Sequence, residues 1–250
     1  PDLDIMEFPA QTFFSFFRNH GMLEFRKRPT WQTVVGGSHS YIKAFQNRFS
    51  GRILLNSSIR SVHRSSQSAA VHLSDGSTMS FDRIVFATHA DQALGLLESP
   101  SDAENRLLGE WRYHKNRVVL HSDPTVLPRN RKLWASWNYY RSLTTTEQSR
   151  VPITYYMNKL QGLKGVHHYF VTLNRSEEID STKVIYETEY LHPVFTARAI
   201  ATQEEIALMN GENSSYFCGS YMGYGFHEDA VKSSVAVAKQ LGCDSWPSVS

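Results

Sequence analysis

The residues best suited to chemistry lie near the C-terminus, in Tyr216-Phe-Cys-Gly-Ser and Gly223-Tyr-Gly-Phe-His-Glu-Asp-Ala. A strand ending in Gly219-Ser220, then Gly223-x-Gly225, then a helix brings backbone close to a ligand. Glycine lacks the Cβ that would block such an approach and tolerates positive φ. A helix start offers unpaired N–H groups and about half a positive charge, which favours an anionic group. The backbone N–H groups near His227 and Glu228 are the candidates for that contact. The same spacing also fits a strand–helix connection whose glycines only make the turn, and spacing alone leaves both readings open. Gly223-x-Gly225-x-x-Glu228 lacks the third glycine of the dinucleotide fingerprint, and no Walker lysine follows. His227-Glu-Asp lacks the second histidine of a zinc-binding His-Glu-x-x-His helix, so no metal is expected.

Other polar residues have structural readings beside functional ones. Asp82 and Asp91 read as surface or cap residues. His89 ends a strand and satisfies backbone groups or faces a ligand. His167-His168 reads as a loop and strand start. Tyr155 and Tyr156 alternate across a strand, so only one can face a pocket. Asn158 and Gln161 orient a substrate or satisfy a buried turn. No Gly-x-Ser-x-Gly elbow occurs, which agrees with cofactor-borne chemistry and argues against a hydrolase.

These residues need elements to position them. The closing segment reads as a strand over 215–220 and a helix over 228–241. Val231, Val235 and Ala238 form its apolar stripe, and Gly242 stops it. A short helix is expected over 7–20 with Pro9 in its first turn, and another over 38–49. Strands are expected over 52–55, 61–64, 69–73 and 78–81, with Asp75-Gly76 as a turn. The apolar run 83–90 suits a strand covered on both faces, followed by a short helix over 91–98. The middle, 105–205, is aromatic, with Trp111, Tyr113, Trp134, Trp137, Tyr139, Tyr140, Tyr155, Tyr156, Tyr169 and Phe170. Strands of a mixed sheet are expected there over 118–121, 133–139, 153–157 and 168–173, then a helical stretch over 203–209.

Composition bounds the function classes. The chain has 250 residues, 41% hydrophobic and 20% charged, which is enough apolar matter for a real core. A net charge of +2 gives no electrostatic case for nucleic acid. Two cysteines, Cys218 and Cys243, are too few for a disulfide framework and fit a reducing, cytoplasmic location. No apolar run of about 18 residues occurs, so no transmembrane segment is expected.

Several blocks together resemble the FAD-dependent amine oxidoreductases, the superfamily of amine oxidases and phytoene desaturases, and most of all the predicted NAD/FAD-binding group within it. They are Asn19-His-Gly, Trp31-x-Thr-Val-x-Gly-Gly-Ser-x-x-Tyr41, Asp75-Gly, Phe81-Asp-x-Ile-Val-Phe-Ala-Thr-His-Ala-Asp, Thr154-Tyr-Tyr-Met-Asn-Lys-Leu-Gln, His192-Pro-Val-Phe, and Gly219-Ser through Glu228-Asp-Ala-Val. The resemblance implies an α/β (mixed α+β) fold: part of a discontinuous FAD-binding domain plus a mixed-sheet substrate domain. The implied division is 1–30 as a helical entry segment on the substrate side, 31–104 as an FAD-side segment, 105–205 as the substrate domain and 206–250 as the C-terminal FAD-side strand and helix. It implies FAD as cofactor. Gly36 and Gly37 would precede a helix close to the flavin. Ile59, after a strand, would turn its backbone to the adenine, and Ala87 and Thr88 would end the strand that returns to the cofactor. Gly219 to Ala230 would cradle the pyrimidine side, with Ser220 beside the pyrophosphate, Phe226 over the flavin, and Gly225, His227 and Glu228 at the pyrimidine edge. A reduced flavin gathers negative charge at N1 and the C2 carbonyl, which suits a helix N-terminus.

Two departures from the family pattern matter. No Gly-x-Gly-x-x-Gly occurs in these 250 residues, so the N-terminal βαβ unit that holds the pyrophosphate is lacking. With an opening at Pro1 rather than Met, the chain is expected to be a fragment of a longer flavoprotein. Amine oxidases also place a lysine near the flavin N5. The matching stretch here, Tyr113-His-Lys-Asn-Arg, puts Asn116 at that position by rough register. Asn116, Tyr155 and Phe226 are therefore the catalytic candidates. The expected activity is removal of a hydride from an amine or from a C–H bond of an apolar, lipid-like substrate. The alternative is a non-catalytic binding or association module using the aromatic middle, with homo-oligomerisation through the seam left by the lacking unit.

Overall fold

The computed structural model describes residues 8–24, 30, 32–139 and 152–243. The start of the first expected helix, Trp31 and Tyr140 lie outside the described residues. The chain divides into two compact units. One comprises Pro1–Arg52 with His114–His192, the other Ile53–Tyr113 with Pro193–Ser250. Residues 31–52 thus group with the middle of the chain, and residues 105–113 and 193–205 with its closing segment.

The first unit contains helices α1 (Ala10–Asn19), α2 (His39–Gln46) and α5 (Met157–Gln161), and most of a five-stranded sheet. Pro9 is the N-cap of α1 rather than a residue of its first turn. The strands are β5 (Tyr113–His121), β6 (Trp137–Tyr139), β7 (Ile153–Tyr156), β8 (Phe170–Leu173) and β9 (Val184–Pro193), in the order β6-β7-β8-β5-β9. Strand pairing puts Thr154 opposite Thr172, and Thr172 opposite Val119. On that face Val119, Val126, Leu127, Trp134, Phe170 and Ile179 form the core, with Tyr156 packed against it. The other face carries Trp137 and Tyr155 in one row, Tyr139, Ile153 and Leu173 in the next.

The second unit holds the antiparallel sheet β1 (Ile59–Arg64), β2 (Ala69–Leu73) and β3 (Thr78–Phe81), and the parallel pair β4 (Ile84–Phe86) and β10 (Ser215–Phe217). Helices α3 (Ala90–Leu96), α4 (Asp102–Gly109), α6 (Ala197–Leu208) and α7 (His227–Gln240) complete it. Its core gathers Val62, Phe86, Ala90, Leu107, Leu108, Trp111, Ile206, Phe217 and Tyr221, among others. Helix α4 starts where the sequence writes a capping box. Ser101 Oγ accepts from the Glu104 N–H, and Glu104 accepts from the Ser101 N–H at 2.8 Å.

Several expectations are corrected. Residues 52–55 form no strand; they are exposed and have no ladder partner among the described residues. Ile59 opens β1, opposite Leu73, instead of following a strand. The run 83–90 is strand only over Ile84–Phe86, and Val85 is 42% exposed rather than covered on both faces. Residues 131–133 make a 3-10 turn before β6. On α7 the expected stripe is not the buried one. Val231 is 46% exposed, whereas Val237 packs with Tyr216 and Cys218 of the strand beneath. The hydroxyl of Ser233, one turn earlier, reaches the Gly219 backbone at 3.0 Å.

Candidate functional site

The site is built where two parallel strands end side by side. The Cys218 N–H donates to the Phe86 carbonyl at 3.0 Å, continuing the pairing past β10. After β4 the chain runs through Ala87-Thr88-His89 into α3. After β10 it runs through Gly219, a 3-10 turn (Ser220–Met222) and Gly223 to Gly225 into α7. Open parallel sheets bind ligands outside the carboxyl ends of their strands.

The β4–α3 turn is held by a residue the sequence did not flag. The Tyr113 hydroxyl accepts the Ala90 N–H at 3.0 Å, and its ring stacks on the His89 imidazole with centroids 4.3 Å apart. Burial pushes the Tyr113 phenol up to about 12. The Gln92 N–H goes to Asp91, and His89 Nδ1 is a buried nitrogen with no partner among the described residues.

The β10–α7 loop is boxed by its own chain. A Cβ on Gly219 would lie 2.8 Å from the Tyr221 ring and 3.5 Å from the Thr88 carbonyl. One on Gly223 would lie within 2.6 Å of the Asp229 side chain, and one on Gly225, whose φ is +95°, 3.1 Å from Phe195. These three glycines thus answer internal packing directly. The Gly225 N–H returns to the Ser220 carbonyl at 3.0 Å. Burial pushes the Cys218 thiol up, so it is no thiolate nucleophile.

Exposed backbone that a cofactor could approach occurs in two places, one in each unit. Helix α7 has Phe226 as its N-cap, which gives no side-chain capping bond, while Asp229 accepts the Phe226 N–H at 2.9 Å. The first turn of α7 is therefore left without the usual Ser, Thr, Asp or Asn cap. Phe226, His227 and Glu228 are exposed. In the other unit, Gly36 and Gly37 have φ of +80° and +82°, and among the described residues no atom beyond their chain neighbours lies within 4 Å of where a Cβ would stand. The structure brings Ala87, Thr88, Gly219, Ser220, Gly225, Phe226, His227 and Glu228 into the second unit, with Ile59 on its β1. Gly36, Gly37, Asn116 and Tyr155 belong to the first.

In that first unit, Asn116 is held on three sides. Its Oδ1 accepts from Asn174 at 2.8 Å, and its Nδ2 donates to the His114 carbonyl and to His192 Nδ1. Tyr155 lies on the half-open sheet face edge-on to Trp137, and its phenol is raised by burial. Tyr156 is on the core face, bonded to His168 at 2.7 Å. Asn158 closes a turn, donating to the His167 carbonyl and accepting the Tyr169 N–H. Among the described residues no cluster of His, Cys, Asp and Glu could hold a metal, and no helix is long and apolar enough to cross a membrane.

Paired parallel strands with glycine turns at their carboxyl ends, in a chain whose other unit carries a five-stranded sheet, define an α/β fold. Solved structures share it at low identity. A CLA-producing fatty acid isomerase from P. acnes matches with a TM-score of 0.58 and 13% identity, over 84% of this chain and 52% of that one. Putrescine oxidase gives 0.58 and 10%, over 83% and 53%. Reduced UDP-galactopyranose mutase gives 0.58 and 13%, over 84% and 53%. The chain spans about half the length of these structures. No curated protein matches the sequence. Residues 6–157 match the family of flavin containing amine oxidoreductases, and the chain belongs to that family. FAD is the cofactor that goes with it.

Proposed function

We propose that this chain supplies the C-terminal half of an FAD-dependent oxidoreductase that takes a hydride from a C–H bond of an apolar substrate. The observation that carries it is the side-by-side ending of β4 and β10, with a glycine turn and a side-chain-uncapped helix on one of them. FAD, when bound, supplies the hydride acceptor. The first turn of α7 would hold its pyrimidine edge, with Phe226 alongside. Ser220 would face the pyrophosphate, and Ala87 and Thr88 would give backbone access. The pyrophosphate fingerprint is not in this sequence, so a further strand–turn–helix unit is required. The β4–β10 pair supports that. Asn210 satisfies the N–H and carbonyl of Phe217 on the outer edge of β10, while β4 has β10 as its one strand partner among the described residues. The sheet can grow only past β4.

The apolar substrate is favoured over an amine by the open sheet face. Trp137, Tyr139, Ile153, Tyr155, Val171 and Leu173 share it, and Asn116, a neutral amide, would by rough register stand where amine oxidases carry a lysine. The test is anaerobic mixing of the FAD-loaded full-length protein with a series of primary amines and of long-chain acyl compounds. Bleaching of the flavin by the acyl compounds supports the reading. Bleaching by the amines alone, or by neither class, overturns it.

An association role is favoured by one observation. Helix α2 buries none of its residues, and Ile42 and Phe45 are exposed, as are Val34 and Val35 before it. A colourless full-length protein that self-associates in light scattering would favour that role over the enzyme.

A further inference from the structure

Gln203 of α6 reaches across to the loop that enters α7. Its Nε2 donates to the Tyr221 carbonyl at 2.8 Å and to the Gly223 carbonyl at 2.9 Å. One nitrogen thus pins two carbonyls two residues apart, on the same side of the loop. A primary amide offers two protons in a fixed plane from one nitrogen; a carboxylate in its place would set oxygen against oxygen. In a trans peptide the N–H points opposite to the C=O, so pinning the Gly223 carbonyl inward turns the next N–H away from Gln203.

The rest of the box is equally specific. Ser233 Oγ accepts the Gly219 N–H at 3.0 Å and lies 3.1 Å from the Gly219 carbonyl. The Tyr221 ring packs edge-on to Trp111 at 5.4 Å, and Trp111 Nε1 donates to Thr202, the neighbour of Gln203. Two consecutive residues of α6 therefore support the loop, one through Trp111 and one directly.

We propose that Gln203 is the positioning residue of this loop, holding residues 219–225 in the shape that presents the start of α7 to its ligand. The proposal rests on the flavin reading for the identity of that ligand, but not for the clamp itself. Two variants test it in the full-length protein: Gln203→Glu, which keeps size and helix propensity, and Gln203→Met, which removes the donors. Arg106→Ala is the control, because it breaks only the exposed Arg106–Glu205 pair between α4 and α6.

Hydrogen exchange comes first. In both Gln203 variants the amides of Met222, Gly223 and Gly225 should exchange about thirtyfold faster, the loss of two ordinary hydrogen bonds, while those of α6 and the control protein stay as in the wild type. Unchanged exchange overturns the proposal whether or not flavin binds. FAD titration and the reduction potential of the bound flavin follow. At saturating FAD a purely structural role would leave the potential alone, whereas a displaced α7 start should make it more negative. An unchanged potential with faster exchange overturns the positioning role. Faster exchange in a protein whose wild type takes no FAD upholds the clamp and overturns the flavin reading.

Discussion

Replacing Arg64 by alanine should be the most damaging single change in the second unit. The Arg64 and Glu104 side chains are 3% and 5% exposed. Arg64 Nη2 donates to Glu104 Oε2 at 2.9 Å and to the Ser99 carbonyl, and Nη1 donates to Glu104 and to Ser215 at the start of β10. Without the guanidinium, the Glu104 carboxylate stays buried with the Ser101 N–H as its remaining partner. Breaking a buried pair in this way costs about 3–5 kcal/mol. Whole domains are stable by only about 5–15 kcal/mol. Replacing both partners by apolar residues, as in Arg64→Met with Glu104→Leu, should recover most of the loss, less about 1 kcal/mol for the missing cap. The pH dependence gives a second handle. Burial alone would push the Glu104 carboxyl up, but Arg64 and the Ser101 N–H hold it below its ordinary value of 4.5. Its stabilisation is therefore complete above 4.5 and lost as pH falls through the lower folded value. In Arg64→Ala only burial and the cap remain, the carboxyl rises, and protonation relieves the strain. Urea unfolding at pH 7 and at pH near 4.5 should show the gap between wild type and variant narrowing in acid. A loss below about 1 kcal/mol, or a gap that does not change with pH, would refute the reasoning.

Two further outcomes follow from buried groups. His121 is fully buried between Thr172 and the Asp123 N–H, and burial lowers it from 6.5 to about 4. The folded state thus binds its proton later than the unfolded chain does, so stability is complete above 6.5 and declines by about 3 kcal/mol as pH falls toward 4. Urea midpoints between pH 7 and 5 should fall for the wild type and stay flatter in His121→Gln. Gly219→Ala would drive a Cβ to 2.8 Å from the Tyr221 ring and should cost about 1–3 kcal/mol, with Tyr221→Leu relieving part of it in a double variant, as read by thermal unfolding.

Local patterns in the sequence translated well where neighbours agreed with them. Residues 69–73 and 78–81 form β2 and β3 over the expected spans, because Asp75-Gly76 fixes the turn and alternation fixes the faces. Helix α7 and its stop at Gly242, whose φ is +90°, follow the same logic. Two of the missed elements carry their signals in the sequence. Ser101-x-x-Glu104 is a capping box that announces α4, and the β-branched and aromatic run from Val184 to Tyr190 announces β9. Residues 52–55 misled because strand composition needs a ladder partner. The Val231 stripe misled because which face of α7 turns inward is set by Cys218 and the Gly219 backbone, which periodicity does not contain. Of the site, the glycines and the helix start were legible as types and spacing. Gln203, Ser233 and Tyr113 were not, since their roles come from contacts between residues 14 to 23 positions apart, with no local signature.

The central claim is that this chain holds one side of an FAD, and titration of the purified full-length protein with FAD tests it most directly. The account predicts saturable appearance of a protein-bound flavin spectrum with one FAD per chain. A protein that remains folded, colourless and indifferent to FAD, with every segment of its natural length present, would contradict it.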